Sequence, residues 1–235
     1  DPTSYILDNT AATANLALNV KKHKVKKFII ASTSSIYGDT GVGYAKENKD
    51  ELENPPSIYA ATKSFGEVLT RNILEDTDTI IQIPRFFTVY GPFGRPDMSI
   101  LRFVHWISTS QEVIVYGDGQ QKRAFTFISD IISGLNKLFS HSDSGVFNFG
   151  SNETHSLNQV IELIEKNLNK KAIIVNRERA IKDVDIVLPS LKLSKSILNW
   201  EPITNIEDGI SATVEWYKKY ENELKDIKFK YDYEK

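Results

Sequence analysis

No cysteine occurs in the 235 residues, which excludes disulfides, thiolate metal sites and a cysteine nucleophile. Methionine is nearly as scarce: Met98 stands alone, and the chain opens on Asp1. The sequence therefore reads as one from which residues were removed, or as a piece of a longer chain. An excess of either charge is also missing, with 29 Lys and Arg against 31 Asp and Glu and a net charge of -2. That balance gives no electrostatic case for nucleic acid or an anionic membrane as partner. No apolar run approaches the ~20 residues of a membrane span, and no secretory signal is visible. With 40% hydrophobic and 26% charged residues, the expectation is an ordinary globular chain of cytoplasmic location. It is long enough for one large domain or two small ones.

What the chain does have is organised around Ser57-Ile58-Tyr59-Ala60-Ala61-Thr62-Lys63-Ser64-Phe65-Gly66-Glu67. Pro55-Pro56 ends the preceding segment and Ser57 suits an N-cap. The pattern beyond is helical to about Glu75, with Ile58, Ala61, Phe65, Val68 and Leu69 on one face. Tyr59 and Lys63 are four apart, one turn from each other on a common face. A Lys ammonium beside a phenol favours the phenolate, which makes a general base for neutral pH. A chance pair on a solvated helix face gives the same spacing.

Around that helix the segments alternate. Residues 3 to 22 read as an Ala-rich helix. Phe28-Ile29-Ile30-Ala31 is a short apolar run typical of a buried parallel strand. It leads into Ser32-Thr33-Ser34-Ser35-Ile36-Tyr37-Gly38, four hydroxyl residues at a strand's carboxyl end, where open α/β sheets bind ligands. Gly41 to Asn54 reads as a polar surface loop. Thr79 to Phe87 reads as a second buried strand closed by a turn at Thr88-Val89-Tyr90-Gly91-Pro92, and this order points to a right-handed parallel crossover. Further on come a helix from Gly94 to Ser108, strands at 113–116 and 121–128, and a helix from Ser129 to Phe139. A strand at 145–150, a helix at 156–168, a strand at 172–175, a helix at 205–220 and a polar, frayed tail from Lys225 complete the reading.

Several motifs in this order resemble the extended short-chain dehydrogenase/reductases that act on nucleotide sugars. They are the helix with Asn9, the Ser/Thr loop before Tyr37-Gly38, Tyr59-x-x-x-Lys63, Arg85-Phe86-Phe87-Thr88-Val89-Tyr90-Gly91-Pro92, and Arg123-x-Phe125 before Ser129-Asp130. The resemblance implies an α/β fold: a Rossmann-type, doubly wound parallel sheet carrying NAD, with a smaller C-terminal α/β domain gripping a UDP-sugar. On that basis residues 1–92 belong to the NAD-binding domain. Residues 93–235 mainly bind the sugar nucleotide, and segments around 120–150 return to the sheet. The family's opening strand and Gly-rich phosphate turn are missing from this sequence. That turn presents backbone N–H groups to the cofactor pyrophosphate, so the chain as given is expected to hold NAD poorly.

The loop after the first strand separates the family's chemistries. In its 4,6-dehydratases the position of Thr33 is followed by Asp and Glu, and decarboxylases resemble these in carrying Glu at the position of Ser35. Here Ser34 and Ser35 follow Thr33, so no carboxyl acid or base is available for elimination. Gly94-Arg95-Pro96-Asp97-Met98 resembles UDP-glucuronate 4-epimerases, whose substrate carboxylate suits a bidentate Arg. A surface salt bridge is the other reading of Arg95. The resemblance implies catalytic Thr33, Tyr59 and Lys63, and cofactor contacts from Asn9, Ser32, Tyr59, Lys63 and Phe86. Ser34, Ser35, Thr88 and Arg95 map onto the sugar site, Val115 and Tyr116 onto the strand covering the uracil, and Arg123 onto a diphosphate contact. Tyr116 reads equally as core packing. Lys192 departs from the family, which usually has Asp there, and no Arg precedes it.

The leading expectation is thus NAD-dependent C4 epimerisation of a UDP-sugar, UDP-glucuronate first. Neutral or N-acetylated UDP-hexoses, a decarboxylase, and a non-catalytic relative that only binds a partner or nucleotide are the alternatives. No metal is implied. In relatives, helices at positions 3–22 and 57–75 pair with their copies in a four-helix bundle. Here both carry more small and apolar surface than one buried stripe needs, so a homodimer through them is expected.

Overall fold

The structure, a computed structural model, describes residues 1–41, 43–47, 55–178, 187–225, 227 and 229. The first helical stretch is built from three pieces. Asp1 caps α1 (Pro2–Tyr5), a π-helical segment follows (Ile6–Ala11), and α2 (Ala12–Lys22) completes it. The sequence pattern predicts one unbroken helix here. The wider π turn instead re-aims two side chains at the next helix: Asn9 Nδ2 donates to Thr62 Oγ1 at 3.1 Å, and Thr10 Oγ1 donates to the Thr62 carbonyl at 3.4 Å.

The apolar run that follows forms β1 (Lys27–Ile29) and β2 (Ser32–Thr33), two pieces laid end to end along one edge of β3 (Ile80–Phe86). A 3₁₀ turn (Ser34–Tyr37) and α3 (Ile58–Leu74) make the crossover. Along the other edge of β3 lies β8 (Gly145–Phe149), and every pairing is parallel. The carboxyl ends of β2 and β3 therefore stand together with α3 packed against them.

Ser57 caps α3 by accepting from the Ala60 N–H at 3.1 Å, as its place after two prolines suggests. The buried face of this helix is not the apolar one, however. Ala60, Thr62, Ser64, Gly66, Glu67, Thr70 and Leu74 face inward, while Ile58 and Phe65 point outward, Phe65 with 53% of its surface exposed. Small residues permit close approach: Gly66 packs against Thr13 of α2, where an added Cβ would sit 3.5 Å from the Thr13 methyl. The apolar residues are left over for the outside. Leu7, Leu16 and Leu18 on the first stretch are outward as well.

The C-terminal half packs a separate and larger core. The elements are α4 (Ser99–Ser108), β5 (Glu112–Tyr116), α6 (Leu157–Leu168), β10 (Ile173–Arg177) and α8 (Ile206–Lys219). Phe103, Val104, Ile107, Val115, Ile161, Ile164, Ile210 and Val214 fill it. Between the halves run β4 (Thr88–Tyr90), β6 (Lys122–Arg123), β7 (Phe125–Phe127), α5 (Ile128–Ser140) and β9 (His155–Ser156). The turn expected at 88–92 begins as the strand β4, since Thr, Val and Tyr suit extended backbone and pair parallel with β7. The single strand expected over 121–128 divides at Ala124, β6 pairing with β9 and β7 with β4. The helix expected from Gly94 starts at Ser99, because Met98 still has extended backbone.

Two short helices, α7 (Lys192–Leu198) and α9 (Glu221–Leu224), are additions to the sequence reading. In α7, Ser194 Oγ donates to the Asn148 carbonyl at 2.6 Å, tying the departure around Lys192 to β8. The tail read as frayed holds one anchor: Phe229 stacks on His105 with ring centroids 3.9 Å apart. Of the expected 41–54 loop, Val42 and residues 48–54 lie outside the described residues. Ala45 within it is buried and bridges to Pro189.

Gly209 of α8 shows how tightly the halves meet, for a Cβ there would lie 1.9 Å from Tyr90 Oη. Tyr90 is itself wedged between Phe125 and Phe127. Gly209→Ala, despite its better helix propensity, is therefore expected to cost about 1–3 kcal/mol by overpacking. Urea unfolding measures it, and an unchanged or raised midpoint would contradict this packing.

Candidate active site

The site grows from the end of β2. Thr33 is buried, and its hydroxyl donates to Ser35 Oγ and accepts from the Ser35 N–H, both at 3.1 Å. This local cap starts the 3₁₀ turn, so Thr33, Ser34 and Ser35 are gathered at the strand's carboxyl end. Ser32, the residue before, is buried with its hydroxyl donating to Glu67 Oε1. That hydroxyl is engaged inside the protein, which leaves the Ser32 backbone for the expected cofactor contact.

Tyr59 and Lys63 lie one turn apart on α3, the helix packed against β2 and the 3₁₀ turn. The Tyr59 ring is 36% exposed and leans on Tyr5 of α1, with centroids 5.8 Å apart. Its hydroxyl makes no hydrogen bond among the described residues. Lys63 is half-buried, and its ammonium has no hydrogen bond or ion pair among the described residues. Burial pulls its pKa below the ordinary Lys value, and the Glu67 carboxylate one turn on opposes that pull. Asn9 reaches the same helix through Thr62, whose Oγ1 in turn donates to the Tyr59 carbonyl at 3.0 Å.

Beneath these groups lies a polar cluster. Glu67 and Arg85 are 0% and 1% exposed at their side chains and form two parallel hydrogen bonds, each 2.9 Å. Burial alone would raise the Glu67 pKa, but Arg85, Ser32 and Arg71 together hold it below the usual carboxylate value. Arg85 Nη1 also donates to Tyr37 Oη at 2.9 Å, and Tyr37 donates to Asn148 Oδ1 at 2.7 Å. Burial pushes the Tyr37 phenol up to about 12. Sequence reasoning missed this cluster and Tyr5. The signal was present: Arg85 and Asn148 interrupt strands otherwise apolar enough for burial, and a charge there requires a buried partner.

The remaining candidates are distributed unevenly. Phe86 ends β3 and packs on Phe149, and Thr88 lies half-buried in β4. Arg95 is exposed and forks onto Asp97, with Nε 3.0 Å from Oδ1 and a second, shorter contact from Nη2 to Oδ2. That is the surface salt bridge of the alternative reading. Hydrogen bonding to Asp97 raises the Arg95 pKa, and Tyr59 and Tyr5 add to it, so the guanidinium is within electrostatic reach of both rings. Val115 is in the C-terminal core at 1% exposure, so its side chain is closed to a ligand and the expected uracil contact can involve only its backbone. Tyr116 is half-buried beside it, and Arg123 Nη1 donates to the Lys122 carbonyl at 2.9 Å.

Glu67→Ala would leave the Arg85 guanidinium buried without its anion, an expected loss of about 3–5 kcal/mol at neutral pH. Arg71→Ala, at the half-open rim, is expected to cost under about 1 kcal/mol. Folding lowers the Glu67 pKa, so its contribution is complete above the unfolded value near 4.3 and falls away as pH drops through the lower folded value. The stability gap between wild type and Glu67→Ala should therefore start to narrow as pH falls past the unfolded value and close only below the lowered folded one. A gap that stays constant from neutral to acid pH would contradict the ion pair.

Residues 1–213 match the family described as GDP-mannose 4,6 dehydratase. A UDP-glucuronate 4-epimerase of Thermodesulfobacterium geofontis is 38% identical over 231 residues, covering 97% of this chain and 70% of that protein. Among solved structures, UDP-glucuronic acid 4-epimerase from Bacillus cereus in complex with UDP-glucuronic acid and NAD superposes with a TM-score of 0.85 at 30% identity, over 91% of this chain and 68% of that one. A dTDP-glucose 4,6-dehydratase from Bacillus anthracis in complex with NAD gives the same TM-score at 26% identity, over 94% and 70%. A parallel sheet ending in Thr33, a helix bearing Tyr59 and Lys63, and a family match through residue 213 together make this chain a member of the GDP-mannose 4,6 dehydratase family, within the Rossmann-fold extended short-chain dehydrogenase/reductases.

Proposed function

We propose that the protein, with NAD, epimerises C4 of a UDP-sugar, UDP-glucuronate to UDP-galacturonate, through a 4-keto intermediate. The observation that carries this is a pair of donors on α3 with no hydrogen-bond partner among the described residues, the Tyr59 hydroxyl and the Lys63 ammonium, on a helix packed against a strand end with hydroxyls and no carboxyl at Thr33-Ser34-Ser35. Relatives named as UDP-glucuronate 4-epimerases support the same reading.

The donor set fits a dinucleotide: a half-buried ammonium with no protein partner among the described residues suits the hydroxyls of the nicotinamide ribose. When bound, NAD supplies a reversible two-electron acceptor for the carbon carrying the 4-hydroxyl. Lys63 then holds the ribose, with Asn9, Phe86 and the Ser32 backbone lining that side. Tyr59, as phenolate, accepts the 4-hydroxyl proton, and the Thr33 hydroxyl bonds the same oxygen and relays the proton back. Ser34, Ser35, Thr88 and Arg95 are assigned to the sugar and its carboxylate. Tyr116, the Val115 backbone and Arg123 are assigned to the nucleotide. This divides the chain into a cofactor-binding part, residues 1–92, and a mainly substrate-binding part, residues 93–235, with segments around 120–150 returning to the sheet. Elimination and decarboxylation are disfavoured because neither Ser34 nor Ser35 can act as a carboxyl acid or base.

The Arg95–Asp97 pair favours a second reading, a neutral or N-acetylated UDP-hexose, because the guanidinium already has its carboxylate. Incubating the full-length gene product with NAD and either UDP-glucuronate or UDP-glucose, with chromatography of the products, separates the two. UDP-galacturonate is expected, and Tyr59→Phe should slow its formation at least about 100-fold. Absence of UDP-galacturonate sinks the leading reading, and UDP-galactose formation in its place establishes the second.

The outward Leu7, Leu16, Leu18, Ile58 and Phe65 support a homodimer through the helices at 3–22 and 57–75. Light scattering should give twice the subunit mass, falling to one subunit when Phe65 is changed to Glu. A monomer well above micromolar concentration would contradict it.

A further inference from the structure

The face of α3 that carries Tyr59 and Lys63 continues through Glu67 to Arg71 at the same four-residue spacing. Glu67 is the only one of the four with no exposed side-chain surface, and its carboxylate is saturated. Oε1 accepts from Ser32 Oγ and from Arg85 Nε at 2.9 Å, and Oε2 accepts from Arg85 Nη2 at 2.9 Å and from Arg71 Nη2 at 3.1 Å. Two of those donors matter most. Ser32 directly precedes Thr33, and Arg85 pairs with Ser32 across the sheet, so one carboxylate grips β2 and β3 at the level of the candidate site. Apart from Leu74 in the last turn, the rest of the buried α3 face is Ala60, Thr62, Ser64, Gly66 and Thr70, small side chains that give the first three turns no large ridge to lock their rotation.

Resting on the function proposed above, we propose that Glu67 is a positioning residue: it clamps the ends of β2 and β3 to α3 and thereby sets the rotation of that helix, so that Tyr59 and Lys63 meet Thr33 in working register. Ridges of large side chains normally fix a helix's rotation on its support. Near Tyr59 and Lys63 the large side chains, Ile58 and Phe65, point away, Leu74 is two turns beyond Glu67, and a directional carboxylate with four hydrogen bonds takes over.

The carboxylate has a second effect on the same site. Lys63 is drawn toward its neutral form by burial, and the anion one turn away opposes this. The charged and titratable groups around Glu67 are Lys63 and Arg71 on its own helix and Arg85 on β3. Through Arg85 come Tyr37 of the 3₁₀ turn and Glu47 beyond it, while β2 contributes Ser32. Removing the negative charge leaves the pull of burial on Lys63 unopposed, so its ammonium would give up its proton at lower pH.

Glu67→Gln in the full-length gene product is the test, read first by carbon-13 NMR of labelled lysine. The Lys63 titration midpoint is expected about one pH unit below wild type. Epimerase kcat is expected to fall about 10- to 100-fold with KM within about twofold, the alkaline limb moving to lower pH with Lys63. Glu67→Asp, which restores the charge on a shorter arm, should return the alkaline limb and only part of kcat. Should Glu67→Gln not fold, the Glu67→Gln/Arg85→Met double variant removes both buried charges at once and is expected to fold. It should show the same loss of kcat. Wild-type kcat and an unmoved Lys63 midpoint in a folded variant overturn the proposal. If wild type turns over no UDP-sugar, the Lys63 midpoint still decides: a lowered value supports the clamp, an unchanged one overturns it, and the missing turnover counts against the proposed function alone.

Discussion

Two opposite charges with almost no water around them, Glu67 on α3 and Arg85 on β3, set the geometry on which this half of the molecule depends. Burying such a pair is costly, and the cost is offset only when every remaining lone pair and donor is satisfied. Here it is. Ser32 and Arg71 complete the carboxylate, and Tyr37 takes the third arm of the guanidinium. From Tyr37 the hydrogen bonding continues to Asn148, whose Nδ2 reaches the Ala45 and Ser190 carbonyls at 3.0 and 3.3 Å. One polar chain therefore joins the helix with Tyr59 and Lys63, both edges of β3, the 3₁₀ turn and the loops beyond β8.

The same choice shapes the outside of the molecule. A helix held by a buried carboxylate and small neighbours needs no apolar stripe facing its own sheet. Its Ile58 and Phe65, with the leucines of the preceding helices, are thereby left on the surface. A single arrangement accounts for two features that look separate in sequence: a polar inner face on α3 and an apolar outer one. The C-terminal half follows ordinary rules instead. Its helices bury aromatic and branched side chains, and Gly209 lets α8 close on Tyr90.

Much of this was legible in the sequence wherever the signal is local. Tyr59 and Lys63 at four-residue spacing, Ser57 after two prolines, and a hydroxyl cluster after a short apolar run each carry their meaning within a few residues. The parallel crossover from β1 to β3 follows from the same local order. What was not legible depends on partners far apart in the chain. Apolar periodicity groups Ile58 and Phe65 on one face of α3 without saying whether that face meets the sheet or a partner, and the protein turns it outward, because burial there is decided by Arg85 on a different element. The π turn at Ile6–Ala11 has no periodicity signature, and its effect, turning Asn9 onto Thr62, exists only once α3 is in place. Val115 and Tyr116 were assigned together by resemblance, yet alternation along a strand sends one into the core and leaves the other half open. Phe229 in a polar tail gave no hint of His105, which waits for it on α4.

In the proposed reaction hydride leaves and returns at one carbon, and an isotope reports on this directly. UDP-glucuronate deuterated at C4, incubated with the full-length gene product and NAD, should yield UDP-galacturonate that keeps its deuterium at C4. Product that has exchanged the label for solvent hydrogen, or has lost the carboxyl group, would contradict the account.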